Sequence, residues 1–191
     1  NATSAPTKLR SVKVMHKAYF TLSRKWFNIK CMSEKKVRSE IFDTGNPKVK
    51  SARIEINAAP ATIFSILANP HRHRDVDGSQ TITANISGPE RLELGSKFGM
   101  KMHLGIDYRI MNTVVEFEEN ALIAWRHLGR WRWRYQLRDL GNGTTEVTET
   151  FDGSTAPALA QVWLNFRKAY PWTQKAVAKS LVRLKEVAEN E

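Results

Sequence analysis

At 191 residues the chain is long enough for one domain with a sizeable core and some excess, and too short for two full domains. Its formal net charge of +11 is lopsided: residues 1–31 hold seven Lys or Arg and no Asp or Glu, leaving 23 basic against 19 acidic side chains for the rest. A basic chain invites a nucleic-acid partner, but here the excess sits mainly in a leading segment separable from the domain. Cys31 is the only cysteine, which excludes an internal disulfide and a cysteine zinc cluster and points to a reducing, cytoplasmic setting. Every apolar run falls well short of the ~20 residues a membrane-spanning helix requires.

Met32-Ser33-Glu34-Lys35-Lys36 reads as an ordinary protein start, so residues 1–31 are taken as an extension. The competing reading is an organelle transit peptide, since the stretch is basic, acid-free and contains Ser and Thr. A poorly ordered basic extension is expected over residues 1–50 and the folded domain over 51–191. Arg53-Ile54-Glu55-Ile56 alternates as a strand, and Thr62 to Ala68 follows as a helix with Pro60 in its first turn and Asn69-Pro70 after it. Further strands are expected at 81–87, 97–104, 108–118, 122–128, 132–137 and 145–151, joined by short Gly and Asn turns that favour antiparallel neighbours. Leu159, Trp163, Phe166 and Tyr170 then recur at helical spacing, Pro171 interrupts, and Trp172, Val177, Leu181, Leu184 and Ala188 continue to the end as a long amphipathic helix.

The order of a strand, a helix, six antiparallel strands and a long last helix resembles the helix-grip fold of the START-like (SRPBCC) superfamily, most of all its bacterial polyketide cyclase/dehydrase and lipid-transport branch. The residues carrying the resemblance run from Ile54-Glu55-Ile56-Asn57-Ala58-Ala59-Pro60 with Ile63-Phe64 and Leu67-Ala68-Asn69-Pro70, through His73–Ser79, Gly88-Pro89 with Leu94-Gly95, Val114-Val115-Glu116-Phe117 and Ile123-Ala124-Trp125-Arg126, to Thr145–Phe151. It implies an α+β domain: a curved antiparallel sheet of about seven strands wrapped on the C-terminal helix, with a deep ligand cavity between them. Similar proteins bind lipids, hormones or polyketides and only some are enzymes, so function has to be argued from the site.

The most informative stretch is Arg130 to Phe151, where Trp131, Trp133, Tyr135 and Leu137 alternate with Arg130, Arg132, Arg134, Gln136 and Arg138. Successive strand residues point to opposite faces, so this is a strand with one aromatic and one basic side. If Gly141-Asn142-Gly143 is a three-residue loop, Leu137 faces Val147, Tyr135 faces Glu149 and Trp133 faces Phe151. Glu149 then lies among aromatics, where a carboxyl must be hydrogen-bonded, ion-paired or protonated. The preceding turn is ambiguous: a two-residue loop at Gly129-Arg130 sends Arg126 inward opposite Trp133, whereas a three-residue loop sends Trp125 inward. A tight turn at Glu119-Asn120, pairing Leu122 with Phe117 and Ala124 with Val115, also turns Arg126 inward, and two turn arguments are preferred to the apolarity of Trp125.

The expected ligand-contacting set is therefore Met111, Val115, Phe117, Arg126, Trp131, Trp133, Tyr135, Glu149, Phe151, Phe166 and Leu181. Arg126, Tyr135 and Glu149 form its polar cluster, either as a self-satisfied buried pair or as an anchor for a ligand's carboxyl, carbonyl or hydroxyl group. The same three are the candidate catalytic residues should the cavity support acid–base chemistry. His71-Arg72-His73-Arg74-Asp75-Val76-Asp77 has imidazoles and carboxylates at alternating positions, but the interleaved arginines oppose a cation, and a gating loop at the cavity mouth fits better. His103 and His127 are expected to be sheet residues. The arginine row reads as a solvated sheet face with Arg138 opposite Glu146; its aromatics alternate to the other side and cannot stack on bases, which argues against nucleic acid. No Gly-x-Gly-x-x-Gly, phosphate loop or Gly-x-Ser-x-Gly occurs, and no cofactor or metal is expected.

Three functions remain: binding of a small hydrophobic ligand for sequestration or transfer, a cyclase/dehydratase-type enzyme using the same cavity, and an anionic-surface or nucleic-acid module acting through the basic N-terminus.

Overall fold

A computed structural model of the chain describes residues 37–84 and 87–191. Eight antiparallel strands form one sheet in the order β1-β2-β8-β7-β6-β5-β4-β3. They are β1 (Glu40–Phe42), β2 (Val49–Ile56), β3 (Ile82–Ala84), β4 (Lys97–His103), β5 (Asp107–Glu118), β6 (Leu122–Arg126), β7 (Arg132–Gly141) and β8 (Thr144–Asp152). Helix α1 (Pro60–Leu67) follows β2, then a 3-10 turn (Pro70–Arg72) and the one-turn α2 (His73–Val76); α3 (Ala158–Phe166) and α4 (Ala169–Ala188) close the chain. The sheet thus has one strand more than expected, and β1 and the start of β2 come from residues that the sequence reading put outside the domain. Residues 1–36 of that extension, including Cys31 and Met32, lie outside the described residues.

Helix α4 presents Tyr170, Thr173, Val177, Leu181, Leu184 and Ala188, spaced by three or four, as its buried stripe. It leans on β2 and β8, where Ile54, Ile56 and Val147 meet it, while α1 covers the Leu137 end of β7 and buries Ile63, Phe64, Ile66 and Leu67. Pro171 does not break the helix, contrary to expectation. It sits in the first turn, where a backbone N–H has no intrahelical acceptor to lose, and the chain breaks instead at Lys168, whose φ is 50°.

The hairpin β7–β8 has the expected pairing through a different turn. Asn142 and Gly143 (φ 56° and 72°) make a two-residue turn, and a bulge between Asp139 and Gly141 takes up the extra residue. Leu137 opposes Val147, Tyr135 opposes Glu149, Trp133 opposes Phe151 and Arg138 opposes Glu146, as read from the sequence. The neighbouring strands depart from the reading. Residues 119–121 make a three-residue connection with Asn120 at φ 61°, so Leu122 opposes Glu118, Ile123 opposes Phe117 and Ala124 opposes Glu116. A bulge at Val115 then shifts the register and puts Trp125 opposite Val114. The β6–β7 connection is five residues long, pairing Arg126 with Arg132 and Trp125 with Trp133. Both changes act in one direction: Trp125 is buried at 7 % exposure, and Arg126 is exposed on the outer face.

Candidate functional site: a hollow between helix and sheet

Because α4 rests on the β2–β8 side, the arch formed by β4, β5, β6 and β7 stands away from it. The space left is a cavity of about 1030 Å3. Aromatic rings build much of its wall. Trp125 stacks on Tyr135 at 5.5 Å between centroids and on His73 at 4.7 Å, and Trp133 meets Phe151 edge-on at 5.1 Å. Trp131, in the β6–β7 connection, lies parallel to Trp163 of α3 at 6.2 Å, joining the sheet to that helix. Met100, Met102 and Ile110 supply the aliphatic side, and the turn Leu104-Gly105-Ile106 borders the opening.

Of the residues expected to contact a ligand, Trp131, Trp133, Tyr135, Glu149 and Phe151 line this cavity. The others do not. Met111 is 54 % exposed on the far face, and Val115 is the bulged residue itself. Alternation read back from Phe117 makes 115 and 111 inward, but the bulge inverts the parity, so that Val114, Asn112 and Ile110 are the inward residues. Phe117 packs edge-on against Phe64 at 5.4 Å in the filled core, and Leu181 is fully buried there. Arg126 lies outside, so the Arg126–Tyr135–Glu149 cluster does not form. Phe166 is 83 % exposed. Helix α3 buries only Leu164 and turns Gln161 inward, where it donates to the Gly153 carbonyl and accepts from the Tyr170 hydroxyl at 2.7 Å; Leu159, Val162 and Phe166 are thereby directed outward. Of the aromatics spaced along the two last helices, Tyr170 is buried, while Trp163 and Trp172 are 50 % and 42 % exposed and border the cavity.

The polar groups of the wall are few and poorly satisfied. Glu149 has no exposed surface, and neither carboxyl oxygen closes a hydrogen bond with a protein group. Burial drives its pKa well above the usual carboxylate range, Asp77 adds to the rise, and the facing Tyr135 hydroxyl opposes it without reaching bonding geometry. The neutral acid is the favoured form. Tyr135 is pushed well above its ordinary value by burial and then by the Glu149 charge. His73 Nε2 donates to the Leu67 carbonyl at 2.8 Å, which leaves Nδ1 as a bare acceptor with no protein partner. Burial lowers the His73 pKa to about 4. Asn112 Nδ2, a donor on the inner face of β5, is likewise unpartnered. Asp77, by contrast, accepts from the backbone of Ser79, Thr81 and Ile82 at 2.8, 2.8 and 2.9 Å and ties down the segment that leads into β3.

His73 and Asn112 were missed by the sequence reading, and Trp125 was weighed as the inward residue but ranked below Arg126. A polar residue inside a strand's apolar phase was the available signal for Asn112, but the bulge hid that phase. His73 belongs to the segment expected to gate the mouth; it is folded into the 3-10 turn and α2, with His73 and Val76 packed inside. Among the described residues no group of three or more His, Cys, Asp or Glu could hold a metal. His127 lines the cavity from the β6–β7 connection and is no strand residue, whereas His103 ends β4 and bonds Asp107 at 2.7 Å. On the outer face Arg132 and Arg134 share Glu116 at 2.9 and 3.0 Å, and Arg138 pairs with Glu146 at 2.9 Å, so the arginine row is largely neutralised across the strands. No helix among the described residues is long and apolar enough to cross a membrane.

No family model matches the sequence. It is 42 % identical over 120 residues to the "Uncharacterized protein Rv0088" of Mycobacterium tuberculosis, covering 62 % of this chain and 53 % of that protein. The chain thus spans about half the length of the curated relatives it matches. Among solved structures it is similar to protein Ms6760 from Mycobacterium smegmatis, with TM-score 0.58, 14 % identity, and coverage of 79 % of this chain and 97 % of that one. It is also similar to the Polyketide_cyc-like protein Cgl2372 from Corynebacterium glutamicum, with TM-score 0.54, 16 % identity and coverage of 74 % and 91 %. At such identities these likenesses speak for the fold alone, and the fold they share with this chain is the helix-grip architecture.

Proposed function

We propose that the protein takes a small hydrophobic molecule, such as a lipid, polyketide or aromatic metabolite, into the hollow between α4 and the sheet, and sequesters or transfers it. The observation that carries this reading is the cavity of about 1030 Å3 with its aromatic wall. Leaving such a volume inside a fold is costly, since lining groups forgo the dispersion contacts a filled core would give. A guest restores them. Glu149, Asn112 and His73 add to the argument, because a hydroxyl or carbonyl group brought against them would supply partners that the protein itself denies. A cytoplasmic place of action belongs to the same proposal.

The test is native mass spectrometry of the protein purified without detergent, followed by extraction and identification of what it carries. Co-purification of an apolar molecule in one-to-one ratio supports the reading. A chain that comes bare and fails to bind the uncharged fluorophore N-phenyl-1-naphthylamine contradicts it.

A second reading, a cyclase/dehydratase-type enzyme, is favoured by one observation: Glu149 is fully buried opposite Tyr135 with both carboxyl oxygens unpartnered, a setting that raises its pKa and suits it to deliver a proton to a guest. Glu149→Gln separates the two. Unchanged binding with abolished conversion of the bound molecule indicates catalysis, and unchanged binding with no conversion by either protein indicates a carrier.

A further inference from the structure

The end of the molecule at the cavity opening is unusually apolar on its outside. On α3, Leu159, Val162, Trp163 and Phe166, spaced i, i+3, i+4 and i+7, are 83 %, 66 %, 50 % and 83 % exposed. Leu128 in the β6–β7 connection is 95 % exposed and Ile106 in the β4–β5 turn 73 %. The three segments are drawn together: Trp131 stacks on Trp163, the Thr155 hydroxyl ahead of α3 donates to the Arg130 carbonyl at 2.7 Å, and Ile106 and Trp163 border the same opening. A helix this short, with Leu159, Val162 and Phe166 directed outward and Trp163 half-exposed beside Trp131, has no folding reason to hold the first three there.

The charge around the patch is mainly positive. From Asn120 to Arg138, and again from Gly153 to Lys185, the sequence contains no Asp or Glu. Arg130, Arg167 and Lys168 flank the apolar side chains and make no ion pair among the described residues, unlike the arginines of the outer sheet face. Beside the β4–β5 turn Asp107 is held by Lys101 and His103, and Asp77, which lines the hollow, is tied to the backbone N–H groups of Ser79, Thr81 and Ile82. A second copy would bring the same positive collar against this one.

We propose that this face docks on an anionic lipid surface, with the outward side of α3 laid among the acyl chains and Arg130, Arg167 and Lys168 at the headgroups. The arrangement is that of an interfacial amphipathic helix, in which apolar insertion and basic attraction add. Because Ile106 and Trp163 belong to both the patch and the cavity lining, docking would let a guest pass between bilayer and hollow without crossing water; this consequence rests on the cavity reading above, while the docking itself does not.

The test is co-sedimentation of the full chain with vesicles of equal parts phosphatidylglycerol and phosphatidylcholine, and with phosphatidylcholine alone. The expected result is binding to the anionic vesicles, weaker by at least about tenfold on the neutral ones and falling as salt rises. The double variant Leu159→Ser/Phe166→Ser removes two side chains that touch neither core nor cavity. It is expected to lose binding by on the order of tenfold or more while still taking up N-phenyl-1-naphthylamine like the unaltered protein. Arg167→Gln/Lys168→Gln is expected to weaken anionic binding by about tenfold or more. Equal sedimentation of the double variant and the unaltered chain would overturn the proposal by assigning the binding to another part, such as residues 1–31. So would failure to sediment at all, or a dimer in light scattering that the double variant splits. Failure of fluorophore uptake with vesicle binding intact would overturn the cavity reading alone.

Discussion

Val147 and Glu149 stand two residues apart on one face of β8, and Leu137 and Tyr135 do so on β7, yet they belong to different interiors. Val147 and Leu137 lie in the packed half of the fold, where α1 and α4 press onto the sheet and apolar side chains interlock. Glu149 and Tyr135 face the half where the sheet arches away from α4, and there the wall holds unpartnered polar atoms and a volume that no side chain fills. The same strands thus serve stability at one end and a guest at the other. What separates the two is how far the helix lies from the sheet, not any change in strand pattern. Core residues answer to packing density; wall residues are free to be suboptimal for folding.

The largest effect expected from this contrast comes from truncating matched apolar groups in the two halves. Leu184→Ala, in the packed half, should cost about 3 kcal/mol by urea unfolding. Trp133→Ala, although it removes far more atoms, should cost less than the ~3–5 kcal/mol usual for a buried aromatic, because it widens a space that already exists. Its effect should fall instead on ligand affinity. Equal costs per atom removed would erase the distinction between the halves.

The next effects are electrostatic and have opposite signs. His73 has its folded pKa lowered from 6.5 to about 4, so between those values the unfolded chain binds the proton and the folded one does not. Its contribution to stability is therefore lost as pH falls through that window, by about 3 kcal/mol in all. Glu149 has its folded pKa raised, so above the ordinary carboxylate range the unfolded chain releases a proton that the folded one keeps, and stability declines as pH rises, by about 1.4 kcal/mol per unit until the folded group ionises. From about pH 4.5 to 6.5 the two slopes cancel in part. Urea midpoints across pH should show it: Glu149→Gln exposes the loss toward acid, and His73→Phe exposes the loss toward alkali from the carboxylate range upward. Parallel curves for the two variants would contradict the burial assigned to both groups.

The smallest effect is expected on the outer face. Arg134 is one of two arginines on Glu116 and is a third exposed, so Arg134→Ala should change stability by less than about 1 kcal/mol, and less still in high salt. A larger loss would mean that the sheet's curvature depends on its outer ion pairs.

The packed half and the β7–β8 hairpin were legible in the sequence. Apolar spacing marked α1 and α4, and the Gly-Asn-Gly segment with its flanking alternation fixed four cross-strand pairs, including the burial of Glu149 opposite Tyr135. Even a wrong turn length left that register intact, because the bulge at Leu140 compensated for it. The β5–β6 edge was not legible. A bulge at Val115 costs one residue of phase and has no signature in composition, yet it exchanges Met111 and Val115 for Ile110, Asn112 and Val114 on the inner face, and with the long β6–β7 connection it exchanges Arg126 for Trp125. The orientation of α3 was hidden for a related reason: its apolar periodicity is genuine, but Gln161 rather than that stripe is anchored by the fold.

The central claim is that the hollow beside α4 is a binding site. Ala176 is 4 % exposed and lines it from α4, so Ala176→Trp would place an indole inside without displacing the packed half. Titration with N-phenyl-1-naphthylamine tests the claim directly. One fluorophore per unaltered chain, and none in an Ala176→Trp variant whose circular dichroism is unchanged, is the predicted result; equal uptake by both proteins would contradict it.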